Sequence, residues 1–206
     1  MDISAFEKHY KNRIPELAGC RGLYAVLVPL VDVGGEPNLL FEVRASELRR
    51  QPGEVCFPGG KVEPSEDSVS CALRETSEEL DIPPEEIQVL GQLDFLYHHT
   101  GTVIYPILGV VSKKGFSMLQ ENPAEVAETF LVPFSYFVSN PPLLYHYSLV
   151  PDVPKDFPYN LIGFDRPYAW KGGRADVPIY SCGKHAVWGL TGRMVMGLVE
   201  EIGKNG

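Results

Sequence analysis

Positive charge, cysteine and long apolar runs are all scarce in these 206 residues, and each scarcity removes a class of function. Lysine and arginine number 18 against 27 aspartates and glutamates, a formal net charge of −9. The imbalance is local: between residues 54 and 86 ten acidic side chains face only Lys61 and Arg74. Such a stretch opposes binding of long nucleic acid, whose affinity rests on cationic contacts to phosphates. It favours holding a hard divalent cation. Cys20, Cys56, Cys71 and Cys182 show no Cys-x-x-Cys pairing and no Cys/His cluster with zinc spacing, so neither a disulfide framework nor a zinc site is expected. The longest apolar run, LYAVLVPLV at 23–31, falls far short of the ~20 residues that a membrane-spanning helix needs. The first residues, MDISAFEKHYKNRIPEL, lack the apolar stretch of a signal peptide, and the last three, Lys204-Asn205-Gly206, are not the peroxisomal Ser-Lys-Leu. The expectation is a protein of the cytoplasm with neither membrane nor nucleic acid as partner.

Apolar residues at 44% and charged residues at 22% are close to the globular average, enough for a packed core in one domain spanning 1–206. Ile3, Phe6, Tyr10, Ile14 and Leu17 recur at helical spacing and predict a first helix over 3–18. β-Rich runs at 24–33 and 39–43 flank the turn-like GGEPN, and Val55-Cys56-Phe57 leads into the break Pro58-Gly59-Gly60. Residues 65–80 read as a helix with Ser65 as N-cap, stopped by Pro83 and Pro84. Strands are expected at 88–97, 103–111, 129–138, 145–150 and 159–164, and a last helix over 184–202. Strands alternating with helices give an α+β, layered domain.

The chemistry concentrates in GKVEPSEDSVSCALRETSEELDI, residues 60–82. On a helix Glu75, Glu78 and Glu79 (i, i+3, i+4) project from one face, where three like charges repel one another. A cation would relieve that repulsion, and a carboxylate-only cluster suits Mg²⁺ or Mn²⁺ rather than zinc. Gly59 and Gly60 ahead of the helix let backbone approach the site closely. An arbitrary Glu-x-x-Glu-Glu is usually a solvated acidic face. Here Gly60, Glu66, Arg74, Glu75, Glu78, Glu79 and Ile82 fall together on the pattern of the Nudix box, a coincidence on the order of 10⁻⁵ for a chain of this length. The chain therefore resembles the Nudix hydrolases. The resemblance implies an α/β/α sandwich around a mixed sheet with N- and C-terminal helices, and hydrolysis of a nucleoside diphosphate joined to another group. It implies that Glu75, Glu78 and Glu79 hold Mg²⁺ or Mn²⁺, with Glu75 and Glu79 catalytic, and that Glu66 and Arg74 pair to orient the loop and helix. Two residues depart from the pattern: Asp81 stands where Gly is usual, which touches the exit of the helix, and Thr76 fills an apolar slot.

Upstream, Leu39-Leu40, then Ala45, Arg49, Gly53 and Phe57-Pro58-Gly59-Gly60, resemble the motif that precedes the box in coenzyme A pyrophosphatases, with Phe41 in the threonine slot and the start one residue out of register. The end of the chain, HAVWGLTGR at 185–193, is similar to the terminal helix of that subfamily. These two blocks cover about a quarter of the chain. The resemblance implies cleavage of coenzyme A, free or acylated, to 3′,5′-ADP and 4′-phosphopantetheine (or its acyl form), with Arg49, Arg44, Gly59 and Gly60 at the substrate and a homodimer as a possible assembly. Guanidinium groups beside an acidic site suit a ligand with an extra phosphate. Glu125 is the expected general base, with Glu128, Glu79, or water activated by the cation alone as alternatives. ADP-ribose, dinucleotides or nucleoside triphosphates are the competing substrates. A non-catalytic binding module is the third reading, against which stands the retention of all three carboxylates. Cys56, Trp188, and Tyr168 with Trp170 are assigned to packing, and His98-His99 to a turn. Tyr145-His146-Tyr147 reads as core or channel lining.

Overall fold

The computed structural model describes residues 2–15 and 17–204. The alternating apolar pattern of the central segment builds one mixed sheet. Its principal strands are β1 (Gly22–Val33), β2 (Glu36–Arg44), β3 (Val55–Cys56), β4 (Gly59–Lys61), β5 (Ile87–Gln92), β6 (Leu96–His98), β7 (Thr102–Val111) and β8 (Val126–Pro133). The order is β3-β2-β1-β7-β5, with β4 paired to β1, β6 to β7 and β8 to β2. Only β1 and β7 run parallel among these pairs, and all the others are antiparallel.

Side-chain parity divides the sheet into two buried faces. Leu40, with Ala25 and Leu27, packs on Cys71, Ala72 and Leu80 of helix α2 (Ser68–Leu80). Leu39 and Phe41 point the other way, onto Phe57, Val187, and Val195 and Leu198 of helix α5 (Gly189–Lys204). Phe41 stacks on Phe57 at 4.8 Å and on Phe130 at 5.4 Å. The expected sandwich of helices about a mixed sheet is what the chain forms.

Several expectations change in detail. The first helix is confined to Ile3–Tyr10, capped by Asp2, and buries none of its residues. Its apolar positions stay exposed, Ile14 at 83%, so the periodicity alone does not sustain a longer helix. Glu16 of the expected helix lies outside the described residues. Ser65 does not cap α2. It sits at φ +70°, and Asp67 caps instead, accepting from the Ser70 N–H at 2.8 Å. The run 129–138 is cut at Pro133, where β8 gives way to a helix, Phe134–Ser139, since proline donates nothing to a ladder. Residues Tyr159–Ile162 form a 3₁₀ turn ended by Gly163 rather than a strand. The last helix begins later than expected. Gly183 and Gly189, both at positive φ, bracket a strand, His185–Trp188, that folds back on Gly173–Cys182. With Leu143–Leu149 these make a second, three-stranded sheet that the sequence pattern did not disclose. Among the described residues no helix is long and apolar enough to cross a membrane.

Candidate active site

Helix α2 and the loop before it are locked together by one guanidinium. Arg74 reaches back across the turn, Nε to Glu66 Oε1 at 2.9 Å and Nη2 to Glu66 Oε2 at 3.1 Å, a bidentate pair. Its Nη1 lies 2.9 Å from Glu75 Oε1 and 3.1 Å from Glu78 Oε2. The guanidinium holds the Glu66 carboxyl below its ordinary range. Thr76, in the apolar slot, is fully buried and donates its hydroxyl to the Ala72 carbonyl at 2.7 Å, so the departure leaves no polar group unpaired. Asp81 takes the left-handed conformation at φ +55° and closes the helix, its N–H donating to the Ser77 carbonyl. Both departures are accommodated within the helix.

The Pro58-Gly59-Gly60 segment is pressed between β1 and α2. The Gly59 N–H donates to Glu79 Oε2 at 2.8 Å, and the Pro58 carbonyl accepts from the Leu27 N–H. A Cβ on Gly59 would fall 2.3 Å from the Ala25 carbonyl oxygen, and one on Gly60 would fall 2.2 Å from Glu75 Cδ. The second contact gives a prediction. Gly60→Ala should lower stability to urea by no more than about 1 kcal/mol, because the atoms it meets are the far end of one flexible side chain that can turn off Arg74. Adding Glu75→Ala should restore most of that loss, because the clash is with this one side chain. Equal unfolding midpoints for the two variants would show that the contact is not tight.

Glu79 is 3% exposed and Glu75 half-buried, whereas Glu78 is largely exposed, its side chain at 57%. A fourth carboxylate lies on the same side, one that the sequence reading missed. Glu42 on β2 is 1% exposed and, two residues from Leu40, faces α2. Its Oε1 accepts from the Cys56 thiol at 3.2 Å and its Oε2 has no hydrogen-bond partner among the described residues. A single charge inside the apolar run Leu39-Leu40-Phe41-Glu42-Val43 was the available signal.

Glu125 arrives by backbone. Its carbonyl accepts from the Ala45 N–H at 2.8 Å, its N–H donates to Asn122, and the Asn122 N–H in turn donates to the Glu79 carbonyl. The charge of Glu125 raises the pKa of Glu42, Glu75 and Glu79 alike. Glu128 lies on the opposite face, paired with Lys184 at 2.6 Å and 3.5 Å from His185. Glu125 in the turn before β8 and Glu128 on the strand, past a register shift, are thereby separated.

Burial dominates the electrostatics. It pushes Glu79 up to about 9, helped by the Glu42 charge and opposed by the Gly59 N–H. Burial likewise pushes Glu42 up to about 7 and raises Glu75. The Cys56 thiol is driven well above its usual value by burial and by Glu42, which makes it a hydrogen-bond donor rather than a nucleophile. Buried carboxylates that repel one another, one with an orphaned oxygen, fit a hard divalent cation by the chemistry of the donor set. Among the described residues no three His, Cys, Asp or Glu side chains close around one centre as they stand. Glu75 and Glu78 lean on Arg74, and convergence requires them to turn from it.

Beyond Glu42 and Cys56 opens a cleft of about 490 Å³, within the usual range for small-molecule sites. Arg44 lines it, whereas Arg49 and Arg50 are exposed on the neighbouring loop and stand outside the lining. Trp188, Tyr147, His98 and His99, read as packing, channel or turn residues, all line this cleft. Tyr168 and Trp170 instead cluster with Phe164, Phe157 and Tyr159.

A model of the NUDIX domain matches residues 23–145. The chain is 36% identical over 207 aligned residues to the Nudix hydrolase NudL of Photorhabdus laumondii, an alignment covering 98% of each. It is 37% identical over 135 residues to a peroxisomal coenzyme A diphosphatase of Mus musculus, covering 65% of this chain and 56% of that one. It is 35% identical over 171 residues to a mitochondrial coenzyme A diphosphatase of Homo sapiens, covering 81% and 64%. The chain thus spans less than two thirds of the two mammalian relatives. Among solved structures, a MutT/nudix family protein from Enterococcus faecalis superposes with a TM-score of 0.52 at 16% identity over 99% of this chain and 69% of that one, a likeness of fold.

Proposed function

The chain belongs to the Nudix family, and from that premise we propose that it hydrolyses the pyrophosphate of coenzyme A or its derivatives to 3′,5′-ADP and 4′-phosphopantetheine, or its acyl form. The observation that carries this reading is the juxtaposition of a buried carboxylate cluster with a cleft rich in arginine and aromatic residues. The two mammalian relatives, both coenzyme A diphosphatases, support the same substrate.

In this reading Glu75, Glu78 and Glu79 hold Mg²⁺ or Mn²⁺. When bound, the cation neutralises the anionic pyrophosphate and makes a water more acidic. The residues of the chain do the rest. Arg74, fixed by Glu66, keeps α2 and the preceding loop in one alignment. Gly59 and Gly60 let the loop lie hard against β1 and Glu75, which fixes where its backbone would meet phosphate oxygens, and Arg44 at the cleft wall meets phosphate charge. Arg49, exposed next to that wall, is the other arginine proposed to contact the substrate. Glu125, on the carboxylate side of the sheet and free of the Lys184 contact that engages Glu128, takes the proton of the attacking water. The oxygen of that water forms the new bond to phosphorus as the bridging P–O bond breaks.

The test is a substrate panel with Mg²⁺ or Mn²⁺: coenzyme A, acetyl-coenzyme A, ADP-ribose and diadenosine polyphosphates, with products identified by mass. Release of 3′,5′-ADP from the coenzyme A compounds, at least tenfold faster than any cleavage of the others, is expected. Preferred hydrolysis of ADP-ribose would replace this reading with its closest competitor. No hydrolysis of any compound by the folded protein would favour a binding module.

A further inference from the structure

The far wall of the cleft is built from segments beyond the family-matched residues 23–145, and its composition is specific. Strand β9 (Leu143–Leu149) pairs with β10 (Gly173–Cys182) so that Tyr147 stands opposite Ala175 and Arg174 opposite Ser148. Strand β11 (His185–Trp188) adds Trp188. The turn at Gly189 then starts α5, whose Thr191 hydroxyl donates to the Val55 carbonyl at 3.1 Å. That bond is buried, and it docks the start of α5 on β3, whose Cys56 donates to Glu42. These bonds tie the wall to the strands that carry Cys56 and Glu42, although the carboxylates do not themselves line the cleft, and Arg193 lines it one half-turn past Thr191.

Two features of this wall call for a ligand. In a chain of net charge −9, Arg44 and Arg193 line the cleft with no carboxylate at ion-pair distance among the described residues. The acids nearby are engaged elsewhere: Glu54 accepts from Gln51 at 2.9 Å, and Asp176 pairs with Arg174 at 3.1 Å. The positive field is felt by His98, which burial and the neighbouring His99 and Arg193 hold below its ordinary pKa. Around these cations stand aromatic faces that folding leaves open, Tyr97 at 53%, Trp188 at 43% and Tyr147 at 42% exposure. Guanidinium groups bind phosphate and ring faces bind bases. A neutral pantetheine arm needs no arginine, and a bare polyphosphate needs no aromatic surface.

We propose that this wall binds the 3′-phosphoadenosine half of the substrate, with Arg193 on the 3′-phosphate, Arg174 supporting it, and Trp188 or Tyr147 stacked on the base. The inference rests on the coenzyme A reading for the identity of the whole substrate, but binding of the nucleotide half can be measured by itself. The experiment titrates 3′,5′-ADP and 5′-AMP, with Mg²⁺ present, into the wild-type protein, Arg193→Gln and Arg174→Gln, by calorimetry and by tryptophan fluorescence, with circular dichroism to establish folding. Wild type is expected to bind 3′,5′-ADP at least about tenfold more tightly than 5′-AMP, as a charge-assisted contact gives. Arg193→Gln should reduce that preference to within about threefold, and Trp188→Leu should remove the fluorescence response. A wild-type protein indifferent to the 3′-phosphate, or a folded Arg193→Gln that keeps the full preference, overturns the proposal. If Arg193→Gln fails to fold, an undiminished preference in Arg174→Gln overturns it equally. Preference for 3′,5′-ADP without cleavage of coenzyme A would instead sink the catalytic reading and leave this site standing.

Discussion

Glu79→Gln is expected to lower kcat on coenzyme A by about 10³-fold or more, since loss of a cation-holding carboxylate forfeits several kcal/mol of transition-state stabilisation. The same substitution should make the cation-free protein more stable, not less. Glu79 is 3% exposed, and burial raises its pKa to about 9, so at neutral pH folding has to take up a proton on a group whose ordinary value is 4.5, a cost that a neutral amide avoids. The amide oxygen of Gln still accepts from the Gly59 N–H, which donates to Glu79 at 2.8 Å. Activity and stability therefore move in opposite directions. Steady-state rates together with urea unfolding in EDTA read both. A variant that is folded and fully active would remove Glu79 from the site, and one that is inactive because it has unfolded would contradict the account of its burial.

The second large effect is in the pH dependence of stability. The folded pKa of Glu79 is about 9 and that of Glu42 about 7, both raised chiefly by burial from an ordinary value of 4.5. As pH rises above 4.5 the unfolded chain releases these protons while the folded chain keeps them. The folded state then binds more protons than the unfolded, and stability falls with rising pH until the folded values are passed. In EDTA the melting temperature should decline between pH 5 and pH 9, with a loss of at least ~1 kcal/mol. Glu66 and Glu86 have lowered values, so their contributions change below pH 4.5, and His98, held below 6.5, adds an opposing slope only up to about that pH, so the fall shows most clearly between pH 7 and pH 9. Saturating Mg²⁺ should raise the melting temperature more at pH 9 than at pH 5, because a cation binds the ionised carboxylates. A flat profile in EDTA, or an equal Mg²⁺ effect at both pH values, would contradict the raised values.

The parts of the site legible in the sequence are those coded by local spacing. Glu66 with Arg74, the one-sided Glu75, Glu78 and Glu79, and the tight Gly59-Gly60 approach all follow from a loop feeding one helix. Asp81 also behaves as its small polar side chain allows, closing α2 at positive φ. What depended on pairing across the chain was not legible. Glu42 reaches the carboxylates because β2 places it on the Leu40 face, a fact of register. The choice between Glu125 and Glu128 also depends on the fold, since Glu125 sits in the turn before β8 and Glu128 on the strand beyond a register shift, facing Lys184. The cleft wall depends on a second sheet whose strands are separated by 23 residues of irregular chain, from 150 to 172, and on a Thr191–Val55 bond spanning 136 residues. The first helix fails for the converse reason: its apolar positions are spaced correctly, but no other element covers them.

Direct counting of bound cation tests the central claim. Titration of Mn²⁺ into the protein with 3′,5′-ADP present, followed by electron paramagnetic resonance, should show ion held by wild type and released by Glu79→Gln. Identical occupancy in the two proteins, or free Mn²⁺ throughout in wild type, would mean that these carboxylates do not hold the metal on which the proposed hydrolysis depends.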